Sequence, residues 1–374
     1  MATITHDAPL IQLPQDAAEL ARCLADPEFR LFSGCLYKIM IKGDGDDADD
    51  AQIMPFRPNR AQRRFIRRLW HRNLILKARQ LGFTTLICLL WLDHALFNAH
   101  QRCGIIAQDR EAAEAIFRDK VKFAYENLPS EIRERFPLAR DSASELLFAH
   151  NNSSIRVATS MRSGTIHRLH ISEFGKICAK YPDKAQEVMA GSIPAVPTNG
   201  VLVIESTAEG RDGEFFALVE QAKSKFISRE LLTVRDYRFH FYAWWQEPKY
   251  RLDSSLVPIS REEHEYFDKI EAEMECRIDP DQRAWYVATK RADFSGKEER
   301  MWQQYPSTPD EAFQISTEGN YYAKDMIALR KLLWKNGVLV HAHDTGGVQT
   351  SRTMWVDVTT GEVTLKINGA ESKL

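Results

Sequence analysis

Residues 74–85 read LILKARQLGFTT: an apolar run, a turn holding two cations and a glycine, and two hydroxyls that open a second apolar stretch. A strand that turns into a helix in this way aims backbone N–H groups and the positive helix end at one spot, where a phosphate can sit. In such loops a lysine meets the β- and γ-phosphates and a Ser or Thr hydroxyl holds Mg2+. The usual spacing, G-x-x-x-x-G-K-[ST], asks for lysine at 83 and finds Phe83, while Lys77 stands where the first glycine belongs. Taken alone, an ordinary strand-to-helix turn is as good a reading as a nucleotide site. Lys77 and Arg79 tip the balance, because two cations in a tight turn without acidic partners need an anion. Thr84 is then the Mg2+-side hydroxyl. Gln80 and Thr85 are weaker candidates, and Ala78, Leu81, Gly82 and Phe83 complete the ATP-binding loop.

Two later strand ends carry polar groups of the right kind. LHISE, 169–173, is an apolar strand that ends in a carboxylate about ninety residues after the loop, as expected of the strand that supplies the catalytic acid to a P-loop ATPase. Glu173 would orient the attacking water and accept its proton. The position before it, usually an aspartate on the metal, is Ser172, which would act through a coordinated water. VLVIESTAEG, 201–210, again runs a strand into small hydroxyl residues, and Thr207 is the candidate γ-phosphate sensor. Between the lead segment and the loop lie Arg57, Arg60, Arg63, Arg64, Arg67, Arg68 and Arg72 with no acid among them. Arg60, Arg64, Arg67 and Arg68 recur at helical spacing. Charge runs on solvated faces normally mix signs, so phosphate contacts or an acidic subunit surface fit this one better. Gln62, inside the run, could read an adenine edge.

Elements of definite kinds must position these groups. The chain has 374 residues, 44% hydrophobic and 27% charged, an ordinary composition for a protein with a sizeable core. Its 50 Lys plus Arg against 52 Asp plus Glu give a net charge of −2, so nucleic-acid binding must come from local patches. The 6 cysteines form no C-x-x-C pair, which points to reduced thiols and the cytoplasm. The opening MATITHDAPL has no secretion-signal pattern, and the longest apolar stretch, 86–97, carries Asp93 and His94, so no membrane segment is expected. Strand patterns at 74–76, 103–107, 154–158, 169–172, 200–204 and 239–243 alternate with helical ones, notably 84–97 and 110–127. That rhythm predicts an α/β fold, a mostly parallel sheet flanked by helices with its site at the strands' C-terminal ends. The expected organisation is a lead segment, 1–55, with a helix at 16–24 and a solvated acidic loop at 43–50; a P-loop ATPase core, 56–247; a helical lid or linker, 248–335, with helices at 261–275, 280–290 and 324–334; and short strands at 338–342, 353–358 and 362–367 within a last segment, 336–374.

Ordered pieces of the chain resemble the large terminase subunits of tailed bacteriophages, ATP-driven DNA-packaging motors: RPNRAQRRF with Gln62, KARQLGFTT, TSMRSGTIHRLHISEFGK, ESTAEG, FHFYAWW and YPSTPDEAFQISTEG, spread over 56–319. The resemblance implies an ASCE/RecA-like P-loop NTPase using ATP and Mg2+. Gln62 would match the adenine-contacting glutamine, Lys77 the lysine that some members carry at the start of the loop, and Glu173 the catalytic carboxylate, preceded by a tolerated Ser172. Arg162 would match an arginine finger that reaches a neighbouring subunit's ATP; read by itself, it is a surface-loop arginine. Ser206, Thr207 and Ala208 would match the coupling motif.

Large terminases generally continue into an RNase H-like nuclease. VLVHAHDTG, 338–346, is similar to its start, with Asp344 as first metal ligand, but the sequence stops about thirty residues later, too soon for the further carboxylates of a two-metal site. The resemblance therefore implies a C-terminally shortened motor subunit, with nuclease activity incomplete or lost. Its implied partners are double-stranded DNA, a portal and procapsid, a small terminase subunit and further copies in a ring, in the cytoplasm of a bacterial host and transiently at the portal. A helicase-like P-loop ATPase and a non-catalytic prophage remnant are the alternatives.

Overall fold

The computed structural model describes residues 12–41, 52–162 and 164–314, and three later strands, 352–356, 363–367 and 370–373. The chain divides into two compact units, Met1–Glu318 and Gly319–Leu374. In the first, β1 (Lys38–Ile41) and β2 (Gln52–Pro55) form an antiparallel pair. The main sheet holds β3 (Arg72–Lys77), β4 (Arg102–Ile106), β5 (Leu138–Asp141), β6 (Glu145–Phe148), β7 (Ser154–Ala158), β8 (Arg168–Ser172), β9 (Val201–Ser206) and β10 (Tyr237–Tyr242) in the order β10-β3-β9-β8-β4-β7-β6-β5. Strands β10 through β7 of that order run parallel, and β6 and β5 add an antiparallel edge. Near-continuous apolar runs such as NLIL in β3 and VLVI in β9 are what a parallel sheet covered on both faces demands.

Helices α1 (Ala17–Ala25), α2 (Pro27–Phe32), α3 (Arg60–Arg67), α4 (Phe83–Phe97), α5 (Arg110–Ile116), α6 (Phe123–Glu126) and α7 (Ser130–Arg133) precede the catalytic-strand candidate β8. Beyond it come α8 (Phe174–Lys180), α9 (Pro182–Glu187), α10 (Gly213–Ile227), α11 (Arg261–Met274), α12 (Pro280–Asp293) and α13 (Glu298–Gln304). One apolar core gathers α4, the lead helices and residues of α11–α13 such as Phe267, Tyr286 and Met301; a second gathers α8 and α10 around Leu74, Leu76 and Ile204. The lid helices thus share a core with the sheet. The expected helix over 110–127 is interrupted, because hydrogen bonding widens to a π-helical turn over Phe117–Lys122 between α5 and α6.

Asp93, the acid inside the apolar α4, pairs with Arg30 of α2 at 2.7 Å and accepts a 2.7 Å hydrogen bond from Tyr37 Oη, all three buried. Burying that carboxylate requires those partners, and they fasten the lead segment to the helix that follows the phosphate-loop candidate. In the second unit β11 (Arg352–Val356), β12 (Val363–Ile367) and β13 (Ala370–Lys373) form an antiparallel sheet. The acidic loop at 43–50, the helix at 324–334, the strand at 338–342 and Asp344 lie outside the described residues.

Candidate functional site

Strands β3, β9 and β8 lie side by side, and their C-terminal ends bring four polar residues together. Lys77, the last residue of β3, places Nζ 3.1 Å from Glu173 Oε1 and 3.1 Å from Glu205 Oε2. Glu205, next to last in β9, accepts at Oε1 from Thr84 Oγ1 at 2.7 Å and from Ser172 Oγ at 2.8 Å, with His170 Nε2 at 3.3 Å. Glu173 follows β8 in the left-handed region (φ 52°, ψ 46°) and caps α8, and its Oε2 lies 3.2 Å from Lys176 Nζ. A non-glycine residue held at such a φ is costly and clusters at functional sites.

Burial sets the stakes: the Lys77 side chain is 6% exposed and that of Glu205 0%, against 25% for Glu173. For Lys77 burial works against the charged form, but the Glu205 and Glu173 carboxylates outweigh it and hold the ammonium's pKa above its ordinary value. For Glu205 burial pushes upward, and the Lys77 charge with the His170 and Thr84 contacts reverses it, leaving the carboxyl well below the usual range. The pair is ionised, and each partner's charge depends on the other.

Above this cluster lies the loop. Gln80 (φ 57°) and Gly82 (φ 72°) are both left-handed. Among the described residues no group accepts from the amides of Gln80, Leu81 and Gly82, and Gly82, as N-cap of α4, offers no side chain to those of Phe83, Thr84 and Thr85. Those amides make a cradle of the kind that holds phosphate. Arg79 and Gln80 are exposed beside it, and Thr84 and Thr85 are half-buried. Ala78, Leu81 and Phe83 turn their side chains into the core, Phe83 against Phe65 and Tyr242 at ring distances of 5.8 and 4.5 Å, so only their backbone could face a ligand.

Gln62 is placed next to this loop, and its amide is already engaged. Oε1 accepts from Asn59 N at 2.8 Å in a capping box, and Nε2 donates to Gly82 O at 2.8 Å. A Cβ at Gly82 would meet Nε2 at 2.8 Å, so the glycine serves both the turn and this close approach. The geometry gives Gln62 a bracing contact on the loop; an adenine edge would have to use its remaining hydrogen and lone pair.

Ser206 Oγ accepts from Gly175 N at 3.0 Å, tying the coupling segment to the first turn of α8 directly after Glu173. A side chain at 175 would strike Thr207 O at 2.8 Å and Ser206 Oγ at 2.9 Å. Thr207 and Ala208 are buried, and Thr207 Oγ1 has no hydrogen-bond partner among the described residues. Helix α13 touches both loops: Gln304 O accepts from Arg79 N at 3.0 Å, and Gln303 Nε2 donates to Glu209 Oε2 at 2.6 Å. Arg162 stands apart from the Lys77 cluster, 65% exposed and paired with Glu187 at 2.7 Å.

Sequence reading passed over Glu205, the most connected residue of the site, and its neighbour His170. The signal was present in VLVIES: an acid inside an apolar run of a doubly covered strand cannot stay unpaired. The arrangement suits a magnesium-bound triphosphate. No three His, Cys, Asp or Glu side chains form a metal cage among the described residues, whereas Mg2+ on a nucleotide takes one or two protein oxygens and completes its shell from phosphates and waters. Thr84 and Ser172 hydroxyls and the carboxylates of Glu173 and Glu205 are such hard ligands, and among the described residues Glu173 Oε2 and Glu205 Oε2 each face a lysine ammonium, Lys176 at 3.2 Å and Lys77 at 3.1 Å, that an incoming cation could displace.

The fold is α/β: a mostly parallel sheet between helices, with a P-loop-like turn at its centre. No protein-family model and no curated protein matches the sequence. Among solved structures the chain is similar to the large terminase ATPase domain of Thermus phage P74-26, at 15% identity over 67% of this chain and 94% of that one, TM-score 0.41. It is also similar to the large terminase of bacteriophage HK97, at 15% identity over 86% of this chain and 63% of that one, TM-score 0.46.

Proposed function

We propose that the chain is the ATP-hydrolysing motor subunit of a phage large terminase, which drives double-stranded DNA into a procapsid as part of a ring. One observation carries the reading: Lys77, Glu173, Glu205, Thr84 and Ser172 converge at three adjacent strand ends beneath a cradle of unpartnered amides. The amides of residues 80–85, with Arg79, would bind the phosphates, and Lys77 would exchange a carboxylate for a phosphate oxygen as nucleotide enters. Thr84, with Ser172 through a water, would face Mg2+, which with ATP bound would offset charge on the transferring phosphoryl group. Glu173 is 25% exposed, and among the described residues its Oε2 is paired only with the half-buried Lys176, so it can hold a water and take its proton.

Release of Lys77 would alter the hold on Glu205, hence on β9, and Ser206, Thr207 and Ala208 would pass that change on, with α13 as a lid touching both loops. Arg162 would leave Glu187 for a neighbouring subunit's ATP, so turnover per subunit should rise steeply with protein concentration. The exposed Arg60, Arg64 and Arg67 would meet phosphates or an acidic subunit face. DNA, portal and small terminase subunit are the proposed partners. The burial of Lys77 between two acids also suits a non-catalytic fold that keeps the cluster as internal support. Phosphate release separates the two: Glu173→Gln should lower ATP turnover by about 10²–10⁴-fold with nucleotide still bound, whereas equal, background-level release by both proteins refutes hydrolysis.

A further inference from the structure

Position 172 holds a serine where a P-loop ATPase normally places the acid that serves Thr84 and the metal, yet an acid is present at that spot in space. Glu205 arrives from the neighbouring strand, and Ser172 donates to it at 2.8 Å instead of replacing it. In register, Ser172 of β8 is the direct partner of Glu205 in β9, so a side chain one strand over covers the same ground. Thr84 Oγ1 donates its only proton to Glu205 Oε1 at 2.7 Å, which leaves the hydroxyl's lone pairs, with no donor among the described residues, able to accept a cation. Glu205 Oε2 meets the Lys77 ammonium at 3.1 Å. One buried carboxylate therefore orients the loop's hydroxyl and anchors its lysine.

We infer that Glu205, supplied across the sheet from β9, does the work of the acid missing at 172: it is the positioning residue that turns Thr84 toward Mg2+. The inference rests on the nucleotide-site reading above. It also explains why serine is acceptable at 172, since a carboxylate there would stand against that of Glu205 without a second cation between them. Ser172 instead donates a proton and helps hold Glu205 ionised.

The test is the magnesium dependence of nucleotide binding, read without turnover. Fluorescent ADP is titrated into the purified full chain in excess Mg2+ and in EDTA, for the parent, Glu205→Gln, Thr84→Ala and the double variant, with melting curves for each. The parent should bind more tightly in Mg2+, and Glu205→Gln should cut that magnesium-dependent gain by about 10-fold or more, the loss expected when a partner that orients a metal ligand is removed. Any change that reaches the phosphates through Lys77 appears in EDTA as well and cancels from the ratio of the two affinities, and Thr84→Ala should take nothing further from that ratio once Glu205→Gln is in place, because one acts through the other. Where Glu205→Gln melts below the assay temperature, Glu205→Asp, which keeps the charge but withdraws it from Thr84, should show a smaller loss of the same gain. A parent-like gain in the folded variant, or additive effects of Thr84 and Glu205, overturns the inference and leaves nucleotide binding standing. A parent that binds no nucleotide in Mg2+ overturns the nucleotide-site reading itself.

Discussion

Lys77→Met keeps a side chain of similar length and removes the one charge that faces Glu205 and Glu173 together. The consequences for the two acids differ. Glu173 is 25% exposed and retains Lys176 at 3.2 Å, whereas Glu205 is 0% exposed and is left with neutral hydroxyls and His170. Stranding one member of a buried pair costs about 3–5 kcal/mol, and at about 2 °C per kcal/mol for a unit of this size the melting temperature at neutral pH should fall by about 6–10 °C. The loss should also carry a pH signature. In the parent the Glu205 pKa is depressed and that of Lys77 raised, so the pair contributes fully from the ordinary carboxylate range to the ordinary amine range, about pH 4.5 to 10, and less beyond either end. Without the ammonium, burial drives Glu205 the other way: the folded variant then binds a proton more readily than the unfolded chain, and its deficit shrinks as pH falls from about 8 to about 5. Adding Glu205→Gln makes the cluster neutral and should recover most of the loss. Circular-dichroism melts of the two variants at several pH values measure all of this. A Lys77→Met protein that melts within about 2 °C of the parent, or whose deficit ignores pH, refutes a buried, mutually dependent pair.

Arg162→Ala removes an exposed ion pair worth about 0–1 kcal/mol, so melting should not move, while ATP turnover at high protein concentration should drop by about 10³-fold if the guanidinium serves a neighbour's site; unchanged turnover in a phosphate-release assay excludes it. Glu311 is buried, accepts from Ser307 N at 2.8 Å, and burial pushes its pKa up to about 7. Between the ordinary carboxylate value and about 7 the folded chain holds the extra proton, so this group lowers stability as pH rises through that window. Glu311→Gln should therefore raise stability by about 2–3 kcal/mol at pH 8 and by little at pH 5 in urea unfolding, and an equal effect at both refutes the assignment.

Strand positions and strand ends were legible because a doubly covered parallel strand needs an unbroken apolar run, and the residue that ends the run marks the site side of the sheet. LILK, LHISE and VLVIES were found this way, and β3, β8 and β9 occupy those stretches. The antiparallel edge gave no such signal: β5 is largely exposed, and LARD shows no alternation of apolar and polar residues. Adjacency was the harder matter. Thr84 and Glu205 are 121 residues apart and meet only because β9 lies between β3 and β8, an order set by long-range pairing that no local pattern encodes. Read along one strand, Ser172 is an acid lost. Read across the sheet, Ser172 hydrogen-bonds an acid whose carboxylate reaches the same place from the next strand, and the demand for a buried acid's partner, applied to VLVIES, would have pointed to it. A strand-end constellation is defined by what meets in space, so a position that departs from a linear motif should first be checked against the residue facing it in the neighbouring strand.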